Sequence, residues 1–153
     1  MSDSSDQRAV AAALGRAFVL AEHLSGSLQA GNRDVGLTTA RTRALLCVLE
    51  NPPMTQRDLA ASLRCSTRQV TALVDALEKS GHVRRDPHPT DRRAHIVALT
   101  DRGRSDADRI RDLRARTAQL LFDGVEPADL DAFVRVADTL IARSDGLRPR
   151  VEE

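Results

Sequence analysis

The chain has 153 residues, of which 41% are hydrophobic and 29% charged, and its formal net charge is +1. This length suits one domain, and no apolar run approaches the ~18 residues that span a bilayer, which excludes an integral membrane protein. With two cysteines there is no disulfide framework, and with no signal peptide visible at the start we expect a cytoplasmic protein.

The small net charge hides a basic middle segment. Residues 55–104 carry ten Lys or Arg against six Asp or Glu, whereas the rest of the chain carries thirteen against sixteen. Lys79 is the one lysine among 23 basic residues. A basic surface of arginines suits an anionic partner, since Arg contacts phosphate and guanine bidentately. An ordinary solvated surface and a codon bias towards arginine explain the same counts.

Helical spacing dominates the first fifty residues. Apolar residues step by four and three and predict a first helix over residues 6–30, closed by Gly31. Such a helix would reach about 37 Å, too long to be packed entirely within one compact domain, so we expect it to pack against another subunit. Thr38 is the predicted N-cap of a second helix, which ends before the prolines at 52–53.

Two short helices joined by a tight turn follow. Thr55 with Asp58 resembles a capping box, and Ser66 with Gln69 has the full capping-box chemistry. The second of these helices has apolar residues at i, i+3, i+4 and i+7 and ends at Gly81. The pair predicts a helix-turn-helix, although helical hairpins also occur in proteins that never touch DNA.

A β-hairpin is predicted next, with strands over residues 82–85 and 94–99 and a turn-rich tip between them. Thr100 is expected to cap a long helix that ends at Gly124, and Pro127 to begin the last helix. The sequence therefore predicts one mostly helical α+β domain, with a winged helix-turn-helix in its middle and long helices at both ends.

This order of elements resembles the MarR family of bacterial transcriptional regulators over nearly the whole chain. The specific segments are TQRDLAASLRCSTRQVTALVDALEKSGHVRR at 55–85 and DPHPTDRRAHIVALTDRG at 86–103, which contains what looks like the family's wing signature, Asp91-x-Arg93 followed by Leu99-Thr100-x-x-Gly103. The resemblance implies a single domain over 1–153, in which 6–30 and 101–143 form a dimerisation region, 38–100 form the winged helix-turn-helix, and 144–153 form a polar tail.

The resemblance also implies a mode of DNA binding. A homodimer would present two wing modules to one pseudo-palindromic operator in double-stranded DNA, with the helix at 67–79 in the major groove. The arginine matching Arg93 would enter the minor groove, oriented by the aspartate matching Asp91. Positions 67–69 depart from the Pro-Ser-Thr that is frequent in relatives, so the resemblance gives no operator sequence.

The N-terminal residues of a recognition helix reach the bases, so the expected base-reading residues are Arg68, Gln69 and Ala72. Arg can take guanine and Gln adenine, each bidentately. Gln69 has the alternative of serving only as the cap partner of Ser66. Side chains that could touch phosphate and set the register are Gln56, Arg57, Ser66, Thr67 and Thr71.

The wing supplies a second set of candidates. Arg92 and Arg93 lie at its tip, where a guanidinium meets the negative potential of a narrow minor groove. Asp91 would repel phosphate unless it holds an arginine in place, and its alternative is a local salt bridge in the turn. Arg84 and Arg85 are interpreted equally well as phosphate contacts or as surface charges, and His88 as a polar residue near DNA.

Other classes of protein are less well supported. The sequence has no glycine-rich phosphate loop, GxSxG or HExxH, so we expect no enzyme and no cofactor. The wing histidines His82, His88 and His95 fit no ligand spacing, so we expect no metal. A winged helix used only for protein contacts would not need the tip arginines. A constitutive nucleoid-type DNA binder stays open and would show weak sequence preference.

Many MarR relatives release DNA when a small anionic aromatic compound or an oxidant binds, which implies a repressor released by such an effector. The polar candidates for an effector are Arg16, His23 and Arg43, whose alternative is a solvent-facing surface. An oxidant would need an exposed thiol in a basic setting. Cys65 lies between Arg64 and Arg68 and could instead be a small turn residue, and Cys47 among leucines is expected in the core.

Overall fold

The computed structural model describes residues 2–33, 36–88, 90 and 94–147, with the backbone alone for helical residues 2–5, 27–33 and 145–147. It divides into two compact units, Met1–Leu113 and Arg114–Glu153. In chain order the elements of the described ranges are α1 Ser2–Arg33, α2 Thr39–Glu50, β1 Met54–Thr55, α3 Gln56–Leu63, α4 Thr67–Lys79, β2 Val83–Pro87, β3 His95–Leu99, α5 Asp101–Leu121 and α6 Pro127–Leu147. The predicted α+β fold with a winged helix-turn-helix and long terminal helices is confirmed.

The core of the first unit is built by α2, α3, α4, the sheet and the first turns of α5. Its largest fully buried apolar side chains are Leu45, Leu59, Leu77, Val70, Val74, Val83 and Val97. They come from the apolar face of each short helix and from alternate positions of the strands, as the two periodicities require. The side chains of α1 between Asp6 and His23, by contrast, are all exposed.

The three strands form an antiparallel sheet in the order β1-β3-β2. β3 pairs with β2 along its whole length, from Val83 opposite Leu99 to Pro87 opposite His95. β1 pairs with the other edge of β3, with Met54 opposite Val97. The sequence did not predict β1, because a strand of two residues shows no alternation of polar and apolar positions.

The start of α5 is fixed to the loop that follows α4. The Thr100 hydroxyl donates to the carbonyl oxygen of Gly81 at 2.6 Å, and the Gly103 N–H donates to that hydroxyl at 3.0 Å. The Thr100 N–H donates to the carbonyl oxygen of His82 at 3.0 Å. A Cβ at Gly103 would overlap this same carbonyl group, so α5 approaches the chain closely enough that only glycine fits.

His82 is a core residue and not a wing surface residue. Only 1% of it is exposed. Its Nδ1 lies 2.8 Å from the Ser80 hydroxyl, and its Nε2 lies 3.2 Å from Oδ2 of Asp106 on α5. The ring therefore joins the end of α4 to α5, a role that its position at the start of the predicted strand 82–85 did not indicate.

The second unit contains the end of α5 and all of α6. The rings of Phe122 and Phe133 meet at a centroid distance of 5.9 Å. Most other large apolar side chains of this unit are exposed, among them Leu120, Val134, Leu140 and Ile141. α6 continues through Leu147, past Ser144, where the sequence analysis places the start of a polar tail. No helix in the described ranges is both long and apolar enough to cross a membrane.

Candidate nucleic-acid interface

The helix-turn-helix consists of α3, α4 and the turn between them. Both capping boxes that the sequence predicts are present: Thr55 caps α3 with Asp58, and Ser66 caps α4 with Gln69. Arg64 ends α3 in the left-handed conformation with φ 53°. Its N–H donates to the carbonyl oxygen of Ala61 at 3.1 Å, which closes the turn and starts α4 in a new direction.

The exposed side of α4 carries the predicted base-reading residues. Val70, Val74 and Leu77 bury the opposite side in the core. Arg68, Gln69 and Ala72 are all exposed, together with the predicted phosphate contacts Ser66 and Thr67. Arg68 forms no ion pair with any residue that the structure describes, so its guanidinium is available to a ligand. The sequence predictions therefore converge on one end of one helix.

Gln69 has its side-chain oxygen engaged. Its Oε1 accepts hydrogen bonds from the Ser66 N–H at 2.9 Å and from the Ser66 hydroxyl at 3.1 Å. Bidentate recognition of adenine needs this oxygen as an acceptor and the amide nitrogen as a donor. While Gln69 caps α4, it can offer only its NH₂ group, which favours the capping alternative over adenine readout.

The first turn of α3 borders α4. Arg57 is exposed, whereas Gln56 is half-buried and its amide faces the Thr71 hydroxyl at 3.5 Å. That hydroxyl donates to the carbonyl oxygen of Thr67 at 2.9 Å. Hydrogen bonds from the Thr55 hydroxyl and the Thr55 N–H, at 2.6 and 3.1 Å, lower the pKa of Asp58 below its ordinary value, so this N-terminal carboxylate stays charged.

The two wing arginines at 84 and 85 have different surroundings. Arg84 is exposed, with its Nε 2.9 Å from Asp86 on the same strand and a terminal nitrogen donating to the carbonyl oxygen of Leu99. Arg85 points instead towards α4, where its guanidinium donates to Asp75 and Glu78. Both arginines had the same two interpretations in the sequence analysis because the order of residues does not show which acidic side chains each one contacts.

The tip of the wing is only partly described. At its base the His88 N–H donates to the carbonyl oxygen of Ala94 at 3.2 Å, and the Thr90 N–H donates to His88 Nδ1 at 3.3 Å. The predicted minor-groove residue Arg93, its expected orienting partner Asp91, and Arg92 lie outside the described residues. Their roles stay predictions.

Known proteins share this arrangement. The model of the MarR family matches residues 37–95, the span from the start of α2 to the start of β3. A solved structure of the transcriptional repressor CouR bound to a 23-mer DNA duplex is 32% identical, with a TM-score of 0.70 over 84% of this chain and 92% of that one. This chain belongs to the MarR family.

Two further relatives mark the extent of the likeness. The HTH-type transcriptional regulator YcgE of Bacillus subtilis, itself uncharacterized, is 39% identical over 93 residues, and the match spans 60% of each chain. The MarR family transcription regulator SP03579 is 22% identical and superposes with a TM-score of 0.81 over 96% of both chains. The latter shows that the MarR fold extends through the terminal helices.

The effector candidates that the MarR resemblance suggested are not brought together. Arg43 lines a groove of about 470 Å³, whereas Arg16 and His23 do not line it and are exposed on α1. His23 Nδ1 lies 2.8 Å from the carbonyl oxygen of Val19. The other lining residues come from α2 and its N-cap, from the end of α3 and the turn after it, and from α4, namely Thr38, Ala40, Arg41, Leu63, Cys65, Gln69, Ala72, Leu73 and Ala76.

Both cysteines are free thiols and half-buried against the core. Cys47 packs from α2 against the core but is only half-buried, whereas its leucine neighbours predicted a core position. Cys65 also lines the groove beside α4. Within the described parts of the chain, no group of three or more His, Cys, Asp or Glu side chains is arranged to hold a metal ion.

Proposed function

We propose that this protein is a sequence-specific DNA-binding transcriptional regulator that acts as a homodimer on a pseudo-palindromic operator. It acts as a repressor, and it does so in the cytoplasm, where its DNA lies. Residues 38–100 are the DNA-binding region, and residues 6–30 and 101–143 are the dimerisation region.

The exposed N-terminal end of α4 carries this proposal. Arg68 presents a guanidinium there that pairs with none of the described residues. It lies beside Ser66 and Thr67 at the helix N-terminus, where backbone N–H groups and the helix dipole favour phosphate. An arginine in this position suits guanine O6 and N7 in the major groove. The likeness to CouR, whose solved structure is bound to a DNA duplex, supports the same interpretation.

Exposed apolar side chains support the dimer. Val10, Leu14 and Phe18 follow one another along α1 at helical spacing and are all exposed. The second unit exposes a further apolar set on α6. Large exposed apolar patches mark interaction sites, and a second copy of the chain is the occupant because a pseudo-palindromic site requires two-fold symmetry.

Release from DNA by a small anionic aromatic compound or an oxidant completes the proposal. The groove beside α4 supports it, since Arg41 and Arg43 supply positive charge and Gln69 and Ala72 belong to the DNA-reading helix. A ligand that fills this groove would contact α4 directly. A panel of aromatic carboxylates, added to the DNA complex, tests whether occupancy lowers the affinity.

The decisive experiment measures binding of the purified protein to the promoter region of its own gene and to an unrelated duplex, across a salt series. We expect preference for the promoter and a steep salt dependence, because ~6–10 phosphate contacts cost ~10³–10⁵ in affinity between 50 and 200 mM salt. Arg93→Ala should lose much of the affinity with folding intact. Arg111→Ala is the control, since Arg111 pairs locally with Asp108 on α5.

Each outcome selects one reading. Equal binding to both duplexes favours a constitutive nucleoid-type binder. No binding at low salt favours a winged helix that contacts proteins only. Unchanged binding by Arg93→Ala contradicts the wing assignment while leaving the role of α4 standing.

A further inference from the structure

The guanidinium of Arg85 is the hub of a polar cluster between β2 and the recognition helix. Arg85 lies in the middle of β2, opposite Val97 of β3, and only 23% of its side chain is exposed. It donates to Oδ1 of Asp75 and Oε2 of Glu78, which lie one turn apart on α4. One side chain of the wing thus donates hydrogen bonds to two successive turns of α4.

The cluster also includes α3. In the amide orientation that satisfies both neighbours, the Gln56 oxygen accepts from Arg85 Nε at 2.9 Å and from a terminal nitrogen at 3.1 Å. The other side of the amide faces the Thr71 hydroxyl of α4. All three nitrogens of the guanidinium therefore have acceptors, supplied by two different helices, and α3, α4 and β2 meet at one planar group.

Charge gives this cluster a bearing on DNA. Asp75 and Glu78 are carboxylates on the helix proposed to lie in the major groove, and their side chains are 59% and 41% exposed. Uncompensated carboxylates so close to phosphate would oppose binding. The guanidinium of Arg85 offsets part of the negative charge of these two carboxylates. Its planar set of N–H groups can donate to two acceptors at once, which a lysine ammonium cannot do from one position.

Arg84 shows what a simple surface arginine looks like on the same strand. Its side chain is 58% exposed, and its acidic partner Asp86 lies on β2 itself. Arg84 therefore connects no helix to the sheet. Two adjacent arginines on β2 therefore have different partners: those of Arg85 lie on α4, whereas that of Arg84 lies on its own strand.

We propose that Arg85 is a positioning residue for DNA recognition, which fixes α4 against β2 and neutralises Asp75 and Glu78 without contacting phosphate itself. This inference rests on the proposed DNA-binding function. It assigns Arg85 a different role from the phosphate contact that the sequence suggested, and it adds Asp75, Glu78 and Gln56 to the residues that determine how α4 is presented.

The test is a double-mutant cycle on the full chain, with the promoter duplex as the probe. Arg85→Ala is measured in the wild-type background and in the Asp75→Asn/Glu78→Gln background. We expect a loss of affinity of about 10-fold or more in the first and less than about 3-fold in the second, since neighbouring groups in one network are coupled. Arg85→Lys keeps the positive charge but cannot reach both acceptors at once, so its loss should lie between wild type and Arg85→Ala. Arg111→Ala, whose arginine pairs locally with Asp108 on α5, again serves as the control.

A direct phosphate contact gives a different result. Arg85→Ala would then lose the same affinity in both backgrounds, Arg85→Lys would retain most of it, and the slope of log affinity against log salt would fall by about 0.9. That combination overturns the proposal.

Thermal unfolding without DNA keeps the two proposals distinguishable. We expect Arg85→Ala to lower Tm by about 2–4 °C more in the wild-type background than in the Asp75→Asn/Glu78→Gln background. Equal shifts would refute the coupling of α4 to β2, whatever the DNA result. A wild-type protein that prefers no duplex would refute the proposed function and, with it, the role of Arg85 in recognition, while the unfolding cycle would still decide the coupling.

Discussion

Replacing Gly103 by alanine should destabilise the protein although the site is helical. Within a helix, alanine is normally favoured over glycine by about 0.5–1 kcal/mol. Here the new Cβ would overlap the backbone carbonyl of His82, and backbone cannot move aside as a flexible side chain can. Overpacking costs about 1–3 kcal/mol, and pushing α5 away weakens the Thr100 N–H bond to the same carbonyl, worth about 1 kcal/mol.

The net expectation is a loss of about 2 kcal/mol, which lowers Tm by about 4–8 °C in a chain of this size. Circular dichroism during heating and urea titration measures it. Gly26→Ala is the matched control, because Gly26 is also helical and nothing lies within 4 Å of its would-be Cβ, so that variant should be as stable as wild type or more stable. A Gly103→Ala protein as stable as wild type would refute the argument from close approach.

Three further predictions concern the helix starts. Asp58→Asn should lower the urea midpoint at pH 7 and make that midpoint depend less on pH. The pKa of the Asp58 carboxyl is lower in the folded state than in the unfolded state, so the carboxylate stabilises the fold above the unfolded-state pKa. This stabilisation is lost below about pH 4, as the pH falls through the folded-state pKa. Ser66→Ala should cost about 1 kcal/mol of unfolding free energy, whereas Thr67→Ala, whose side chain caps nothing, should change it by less than about 0.5 kcal/mol; equal effects would contradict the cap. Gln69→Glu keeps the capping acceptor and replaces the free NH₂ donor, so stability should persist while promoter affinity falls about 10-fold, and unchanged affinity would show that this donor meets no DNA.

Local signals explain why so much of the fold is predictable. Each helix start depends on residues within four positions of one another, as in Thr55 with Asp58 and Ser66 with Gln69, and such pairs are visible in the sequence. The exposed end of α4 is predictable for the same reason, because apolar spacing assigns Val70 and Val74 to the core and leaves Arg68 outside.

Features that depend on residues far apart in the chain were missed. Asp106 lies 24 positions after His82, so nothing in the local pattern shows that this histidine is buried against α5. The acidic partners of Arg85 lie seven and ten positions before it, across a turn. The sequence pattern therefore left this residue as either a phosphate contact or a surface charge. β1 exists only because β3 provides a partner, since two residues form no strand alone.

The position of β3 at the centre of the sheet has a consequence for how the protein is made. β1 directly precedes α3 and β2 follows α4, so both ends of the helix-turn-helix are hydrogen-bonded to a strand that is synthesised later than either helix. A nascent chain that has left the ribosome only as far as Gly81 holds the sequence of both helices but lacks the strand that joins their ends. Since contacts distant in sequence form late, α4 should reach its final packing only when Leu99 has emerged from the ribosome. A chain truncated within the wing should therefore lack the packed α4 surface that we propose for DNA recognition.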